Sequence, residues 1–296
     1  MRIQLAAAVA LLGSTVALAE APPPPATPEQ QAEQRAEDER AKAMGLKEGP
    51  LVGEMGVASV KVAEGQVFTD GNGAKKWAQL TTNPISGKEI GLMGLKNGAL
   101  VLFEFDDVGY VKDDEKNDLN ADDLLKSIKE GTDNDNAERQ KAGLPPLNIL
   151  GWEQKPAYNE QAHALEWCVR AESGGTPSYN FNTRLLGRRG VVAVTLMFGG
   201  SNTLNDVLPE FRAALAGFSF KQGETYSEYK SGDKLAEYGL AALVAGGGVA
   251  LAAKSGLLAK LGVLVAKGGK AIFLALAAAA GAVGKFFQRL FGKKKP

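Results

Sequence analysis

The sequence predicts an α+β fold, in which one antiparallel sheet carries packed helices and is followed by C-terminal membrane-associated helices. Three observations lead to this prediction. Runs of strand-forming residues follow one another through short turns, which favours antiparallel pairing. Segments with a helical spacing of apolar residues stand between these runs and after them. The last acidic residue is Glu237, and the chain beyond it is apolar and basic.

The strongest local signals are two hairpins in the central part of the chain. In the first, Asn97-Gly98 tolerates the positive φ angles that a tight hairpin turn needs. In the second, the turn falls at residues 187–190. The predicted hairpin strands are Glu89–Leu95 with Ala99–Phe105 and Ser178–Leu186 with Val191–Phe198, and two further strands are predicted at Leu147–Gln154 and Ala164–Glu172.

Two helices are predicted to pack on this sheet. The first begins after the N-cap candidate Asn120, places three apolar side chains on one face and meets a stop signal at Gly131. The second has apolar residues three or four positions apart between residues 204 and 215. Pro209 lies either in the first turns of this second helix or at its start.

The chain divides into four predicted parts. Residues 1–19 have the basic start, short apolar run and Ala-Leu-Ala ending of a secretory signal peptide that is cleaved after Ala19. An uncleaved anchor or a buried helix is disfavoured, because four prolines follow. Residues 20–49 form a proline-rich, charged linker, residues 50–226 the α+β domain, and residues 227–296 a membrane anchor with a basic amphipathic helix.

The C-terminal part contains a candidate membrane span. Residues 238–253 are 16 uncharged and mostly apolar residues, slightly fewer than the roughly 17 that usually span a bilayer. Tyr238 can lie at one interface, and Lys254 extends toward water from the other end. Between them, Gly246, Gly247 and Gly248 allow another helix to approach closely.

Beyond the span, cations recur on one face of a predicted amphipathic helix that lies in the membrane surface. If Gly268-Gly269 breaks this helix, residues 271–284 could instead insert as the second half of a membrane hairpin. A water-soluble hairpin packed on the sheet is the third alternative, but it would expose a large apolar surface. The cations that share an arc of about 100° on a continuous helix are Lys260, Lys267, Lys270, Lys285 and Arg289.

Charge indicates where the two parts of the chain reside. Residues 20–253 carry a net charge of about −10, and the following tail contains nine basic residues and no acid. Cations tend to remain on the cytoplasmic side of a membrane, so the signal peptide and the tail together predict a periplasmic domain anchored in the inner membrane. The predicted partners are membrane lipid and another envelope protein. Nucleic acid is disfavoured, because an acidic domain repels phosphates.

No motif in the sequence identifies a reaction, and no cofactor is predicted. Cys168 and His163 are five positions apart and would point to opposite faces of one strand, which disfavours a catalytic pair. Asp113, Asp114 and Asp118 are weak candidates for a divalent-metal site. Asp118, however, stands where a calcium-binding loop that starts at Asp113 would need glycine.

Several strings resemble a bacterial family of predicted membrane-anchored proteins, domain of unknown function 2167. These strings are GYVKDD at 109–114, LLKSIKEG at 124–131, GLPPLNILGW at 143–152, YNFNTRLLGRRG at 179–190 and DKLAEYGLAALVAGG at 233–247. The order of elements resembles the PsbP-like fold, which implies a topology but no activity. The family resemblance implies a membrane-anchored envelope protein and supplies no catalytic residues. Candidate surface residues for a partner are Tyr110, Lys112, Asp113, Asp114, Trp152, Asn182 and Arg184.

The leading functional interpretation is a non-enzymatic binding or scaffolding module of the cell envelope. One alternative is an envelope enzyme that uses the carboxylates between residues 113 and 123, with or without a divalent metal. Another alternative is an assembly factor for a membrane complex.

Overall fold

The computed structural model describes residue 35 and residues 38–81, 85–141, 143, 145–198 and 202–245. Residues 38–43 are helical and precede the first strand. The strands are β1 (Lys47–Glu48), β2 (Leu51–Glu54), β3 (Ala58–Val62), β4 (Val67–Asp70), β5 (Glu89–Gly94), β6 (Leu100–Asp106), β7 (Leu147–Asn159), β8 (Ala164–Ser173), β9 (Thr176–Leu186), β10 (Val191–Phe198) and β11 (Phe218–Phe220). The helices are α1 (Gly71–Leu80), α2 (Ala121–Lys141), α3 (Leu204–Leu215) and α4 (Leu240–Val244), with a short 3-10 helix at Tyr226–Glu228.

The architecture is a large antiparallel sheet with a smaller sheet and helices packed on it. The large sheet has eight strands in the order β1-β4-β5-β6-β10-β9-β8-β7, and the small sheet has the order β11-β3-β2. Both hairpins expected from the sequence are confirmed: β5 pairs with β6 around Asn97-Gly98, and β9 pairs with β10 around residues 187–190. The α+β prediction is therefore correct for the part of the chain that the structure describes.

One face of the large sheet is covered by the small sheet and α3, and we call it the sheet-covered face. Phe103 of β6 and Phe181 of β9 are fully buried there. Phe181 meets Phe211 of α3 edge-on at 5.5 Å between ring centres, and Phe103 lies 6.4 Å from Phe218 of β11. Burial of each such side chain contributes about 2–3 kcal/mol, so this cluster is a main source of stability.

The opposite face is covered by helices, and we call it the helix-covered face. At one end α1 packs on β4 and β5, with Trp77 and Leu92 in the same cluster. At the other end α2 packs along β7, and Ile128 shares a second cluster with Trp167 of β8. The helix-covered face thus has two apolar clusters, one near each end of the sheet.

Helix α2 begins as the sequence predicts but ends later. The side chain of Asn120 accepts hydrogen bonds from the backbone of the first turn. The predicted end at Gly131 is wrong, because the helix continues for ten further residues to Lys141. Asn136 exchanges two hydrogen bonds with the backbone of Leu147, at 2.9 and 2.8 Å. Contacts of this kind offset the cost of a helical glycine, about 1 kcal/mol.

Helix α3 contains the proline that the sequence analysis placed either inside it or at its start. The helix begins at Leu204 after the N-cap Thr203, whose backbone N–H donates to Asp206 at 2.7 Å. Pro209 lies inside the helix. Val207 and Phe211 are fully buried on the sheet, and this packing outweighs the backbone hydrogen bond that Pro209 cannot make.

The packed domain extends past both predicted limits, residues 50 and 226. Met44 is buried against α1 before the first strand. At the other end, residues 227–245 pack on the domain, and we call them the C-terminal strap. Leu240 and Leu243 of α4 are buried in the same cluster as Trp167. Within residues 35–245, as far as they are described, no helix is both long and apolar enough to cross a membrane.

Candidate functional site

The most polar part of the helix-covered face lies over β10, between the two apolar clusters. Glu104 of β6, Ala193 of β10 and Arg184 of β9 are consecutive cross-strand neighbours. Leu102, Thr195 and Asn182 form the next row in the same strand order. The small residues Ala193 and Thr195 are partly exposed and lie between longer side chains. We call this depression the β10 groove, with β10 as its floor and β6 and β9 as its walls.

Arg184 is a buried cation in the wall of the β10 groove. It is 6% exposed, and its guanidinium carbon lies 4.8 Å from the centre of the Trp167 ring. Its one hydrogen bond with another described residue is donated to the Thr183 carbonyl at 3.3 Å. Burial lowers the pKa of Arg184 to about 10, opposed by the charges of Glu104 and Asp106.

The wall opposite Arg184 contains two carboxyl groups that share one serine. The Ser86 hydroxyl lies within hydrogen-bond distance of both Glu89 and Glu104, and the Ser86 backbone N–H donates to Glu89 at 2.6 Å. Burial raises the pKa of Glu104, and the serine contact and Arg184 oppose that shift. The second carboxyl oxygen of Glu89 is buried and has no hydrogen-bond partner. The groove therefore has an acidic wall and a basic wall.

Strand β9 brings a row of polar side chains to the helix-covered face, next to the groove. Ser178, Asn180, Asn182 and Arg184 alternate along the strand, and each is less than a tenth exposed. Ser178 Oγ and Asn180 Oδ1 are buried without a hydrogen-bond partner. Such atoms are uncommon in folded proteins, because leaving them unpaired costs about 1–3 kcal/mol each. Asn182 and Arg184 are thus not the freely exposed surface residues that the sequence analysis expected.

Tyr110 belongs to a column of aromatic rings beside the strap. Its ring lies 4.2 Å from Tyr229 and 4.4 Å from Tyr226, and Tyr226 in turn lies 4.4 Å from His163. The Tyr226 hydroxyl donates to the Val111 carbonyl at 3.0 Å. Burial is the main cause of the raised pKa values of Tyr110 and Tyr226, so both hydroxyls remain protonated at neutral pH. Tyr110 therefore joins the strap to the sheet.

The carboxylates proposed as metal ligands have different surroundings. Asp113 accepts a hydrogen bond from the Tyr158 hydroxyl at 3.0 Å, whereas Asp114 and Asp118 are exposed. Among the described residues, no group of three or more His, Cys, Asp or Glu side chains could hold a metal ion. Lys112, the neighbouring partner candidate, is exposed. The metal interpretation of these aspartates stays a prediction.

Trp152 has a structural contact in addition to any surface role. Its indole N–H donates to the Ala121 carbonyl in the first turn of α2 at 3.0 Å. The ring is half-buried and packs against the cluster that contains Ile128. Trp152 therefore fixes the start of α2 on β7.

Cys168 and His163 lie in different parts of the core. Cys168 is fully buried in the cluster of the sheet-covered face, and burial raises the pKa of its thiol to about 12. His163 has a φ angle of 46° just before β8, and its ring contacts that of Tyr226, which belongs to the helix-covered face. The two side chains do not form a nucleophile and base pair.

The strap is fastened to the loop that follows β6. The Tyr110 N–H donates to the Lys234 carbonyl at 2.8 Å, and the Ala236 N–H donates back to the Tyr110 carbonyl at 2.9 Å. Arg188 donates two hydrogen bonds to Asp233, at 2.7 and 2.8 Å. These contacts hold the strap in place just before α4.

Tyr238, expected at a membrane interface, is part of the packed strap. It is half-buried against the cluster that contains Trp167, and burial raises its pKa to about 12. The other predicted membrane residues, Gly246, Gly247, Gly248, Lys254, Lys260, Lys267, Lys270, Lys285 and Arg289, lie outside the described residues.

Sequence reasoning missed the acidic wall of the groove. Glu104 interrupts the apolar run LVLFEF of β6, at a position that alternation places on the same face as Leu100 and Leu102. A charged residue at an inward position of a central strand is the signal that could have identified this wall. Ser86 and Glu89 carry no such signal, because their contacts depend on the pairing of β5 with β6.

Comparison with known proteins identifies the family of the chain. The family model described as "Protein of unknown function (DUF2167)" matches residues 48–280. The chain belongs to this family. The family resemblance noted in the sequence is thereby confirmed.

Among solved structures, the chain is similar to the solution structure of cyanobacterial PsbP (CyanoP) from Synechocystis sp. PCC 6803. The identity is 11%, the match covers 56% of this chain and 87% of that chain, and the TM-score is 0.35. At this TM-score the PsbP-like order of elements stays a prediction. No curated protein matches the chain.

Proposed function

We propose that this DUF2167 protein is a non-enzymatic binding module of the bacterial cell envelope, held at the inner membrane by the residues after Ala245. In this proposal the sheet domain lies in the periplasm, and the basic, apolar tail contacts lipid. The signal-like sequence of residues 1–19 and the absence of acids after Glu237 support this location.

The observation that carries the proposal is the attachment of the strap. Helix α4 is part of the core, and the tail with the apolar and basic pattern follows Ala245 directly. Residues 238–245, the first half of the predicted span, are packed on the domain, so the segment proposed to enter lipid begins directly after Ala245 without a spacer. A tail inserted there would hold the helix-covered face close to the membrane surface.

Two features of the described residues support a binding role over a catalytic one. The Cys168 thiol is buried, with its pKa raised, and lies apart from His163. The β10 groove instead presents an arginine and a glutamate on opposite walls, which suit recognition of a polar ligand.

Cell fractionation of two matched chains tests the membrane proposal. One chain is full-length, and the other ends at Ala245 and so retains α4. After an alkaline carbonate wash, we expect the full-length chain in the membrane pellet and the shortened chain in the supernatant. Recovery of the full-length chain in the supernatant would refute membrane anchoring.

Orientation requires a separate experiment. Protease added to spheroplasts should digest the domain between residues 35 and 245, while protease added to intact cells should leave it whole. Protection of the domain in spheroplasts, together with digestion after lysis, would reverse the proposed orientation.

The enzymatic alternative depends on a metal at the acidic loop. If Ca²⁺ or Mg²⁺ raises the melting temperature of the full-length protein and the double change Asp113→Ala, Asp114→Ala removes the rise, a metal site is present. An unchanged melting temperature in both proteins would remove the basis of a metal-dependent enzyme.

A further inference from the structure

We propose that the β10 groove binds a small zwitterionic ligand, such as a free amino acid or a short peptide, with its carboxylate on Arg184 and its ammonium group on Glu104. This inference rests on the proposed binding role but not on the membrane location.

The basic wall lacks a strong protein partner. Within the described chain, no carboxylate lies within the 4.0 Å ion-pair limit of the Arg184 guanidinium, and its one hydrogen bond is to a neutral carbonyl. A guanidinium has five N–H donors, and burying it unpaired is costly. A planar carboxylate can accept two of these N–H groups at once. Arg184 therefore has the capacity and the energetic reason to bind a carboxylate.

The acidic wall makes a simple anion a poor ligand. The negative charges of Glu104 and of Asp106, at the end of the same strand, favour the charged form of Arg184 and raise its pKa. A phosphate or sulfate with two negative charges would be repelled by these carboxylates. An ammonium group on the same ligand would instead face Glu104, which is partly buried, accepts a hydrogen bond from Ser86 and forms no ion pair within the described residues. Both charges of the groove are then neutralised.

The shape of the groove agrees with a small ligand. One strand, β10, separates Glu104 from Arg184, so their Cα atoms are about 10 Å apart at about 4.8 Å per strand spacing. Ala193 lies on the floor between them and has a short, partly exposed side chain. Ala193 and Thr195 are partly exposed, which gives a ligand a route to both walls.

The test is a titration of the purified full-length protein, followed by tryptophan emission. Trp167 contacts Arg184, so a ligand on Arg184 should change its emission. The probes are alanine and alanyl-alanine, which distinguish a free amino acid from a peptide, with N-acetyl-alanyl-alanine and alanyl-alanine amide as controls that lack one charge each. We expect a saturable response to at least one zwitterion and binding weaker by about tenfold or more for both controls.

Matched variants separate ligand binding from folding. Arg184→Gln should weaken binding of the responding zwitterion by about tenfold or more, and Glu104→Gln should weaken it without weakening binding of the acetylated control. Arg189→Gln removes an arginine whose carboxylate partners, Asp107 and Glu224, lie outside the groove, and it should bind like the wild type. If Arg184→Gln does not fold, as judged by circular dichroism, the inference is tested by whether Glu104→Gln weakens binding of the responding zwitterion.

Two results would overturn the inference. One is the absence of a saturable response to either zwitterion at concentrations up to about 10 mM. The other is equal binding of the zwitterion and the singly charged controls by the wild-type protein. Because the carbonate wash measures location and the titration measures ligand binding, either proposal can fail while the other stands.

Discussion

Replacing Leu240 by alanine tests whether α4 belongs to the folded domain. Leu240 is 0% exposed and packs in the cluster that contains Trp167 and Ile128. The change removes three carbon atoms, which contribute about 2.4 kcal/mol at about 0.8 kcal/mol each. The cavity that remains raises the expected loss to about 3–5 kcal/mol. For a domain of this size, the melting temperature should fall by about 6–20 °C.

The assay is urea unfolding of the purified full-length protein, followed by tryptophan emission. Leu235→Ala is the matched control, because Leu235 lies in the same strap but is 44% exposed. Its effect should remain below about 1 kcal/mol. If Leu240→Ala changes the free energy of unfolding as little as Leu235→Ala does, α4 is not part of the core. The view that the strap completes the domain would then be wrong.

Other perturbations test the strap, a helix and the core thiol. The hydrogen bonds from Arg188 hold the pKa of Asp233 at about 2, so the stability that Asp233 contributes is present above pH 4 and lost as pH falls from about 4 to 2; Asp233→Asn should remove this acid dependence in a pH series of urea-unfolding curves. Gly109→Ala should destabilise the protein by about 1–3 kcal/mol, because Gly109 has a φ angle of 99° and a Cβ would lie 2.7 Å from a strap carbonyl; a melting temperature unchanged from wild type would contradict this. Gly131→Ala, in open space within a helix, should stabilise the protein by about 0.5–1 kcal/mol. Cys168, with a thiol pKa of about 12, should react with a thiol reagent at pH 8 only after urea unfolds the protein; fast reaction under native conditions would show that its cluster opens.

Local sequence signals predicted the structure correctly where it depends on residues that are close together in the sequence. Asn97-Gly98 identified its hairpin because a tight turn restricts residue type, and Gly98 has a φ angle of 82°. Asn120 identified the start of α2 because the cap is formed within four residues. Such contacts do not depend on the rest of the fold.

The sequence-based predictions were wrong or incomplete where contacts between residues far apart in the sequence determine the structure. The end of α2 depends on hydrogen bonds between Asn136 and the backbone of Leu147. Helix propensity cannot predict these bonds, because they join α2 to another element. Helix α1 begins with the turn-like residues Gly71 and Asn72, and it is held by Asp70, which accepts two backbone hydrogen bonds. The sequence analysis did not predict this helix.

The strap shows a different kind of ambiguity. The apolar run after Tyr238 suits both a protein core and a lipid bilayer, and composition alone does not separate them. Contacts with distant residues, such as the pairing of Tyr110 with Leu235 and the ion pair of Arg188 with Asp233, hold α4 on the sheet. Asn182 and Arg184 of β9 were likewise expected at the surface, because the elements that cover them come from other parts of the chain.

Helix α4 also determines when the domain can finish folding. The α4 residues that complete the cluster around Trp167 are the last part of the described domain to be synthesised. Until Leu240 and Leu243 have emerged, that cluster lacks one of its sides and stays open to water. The final folding step therefore waits until α4 is available, and a chain that ended before residue 240 would display an apolar surface that chaperones recognise.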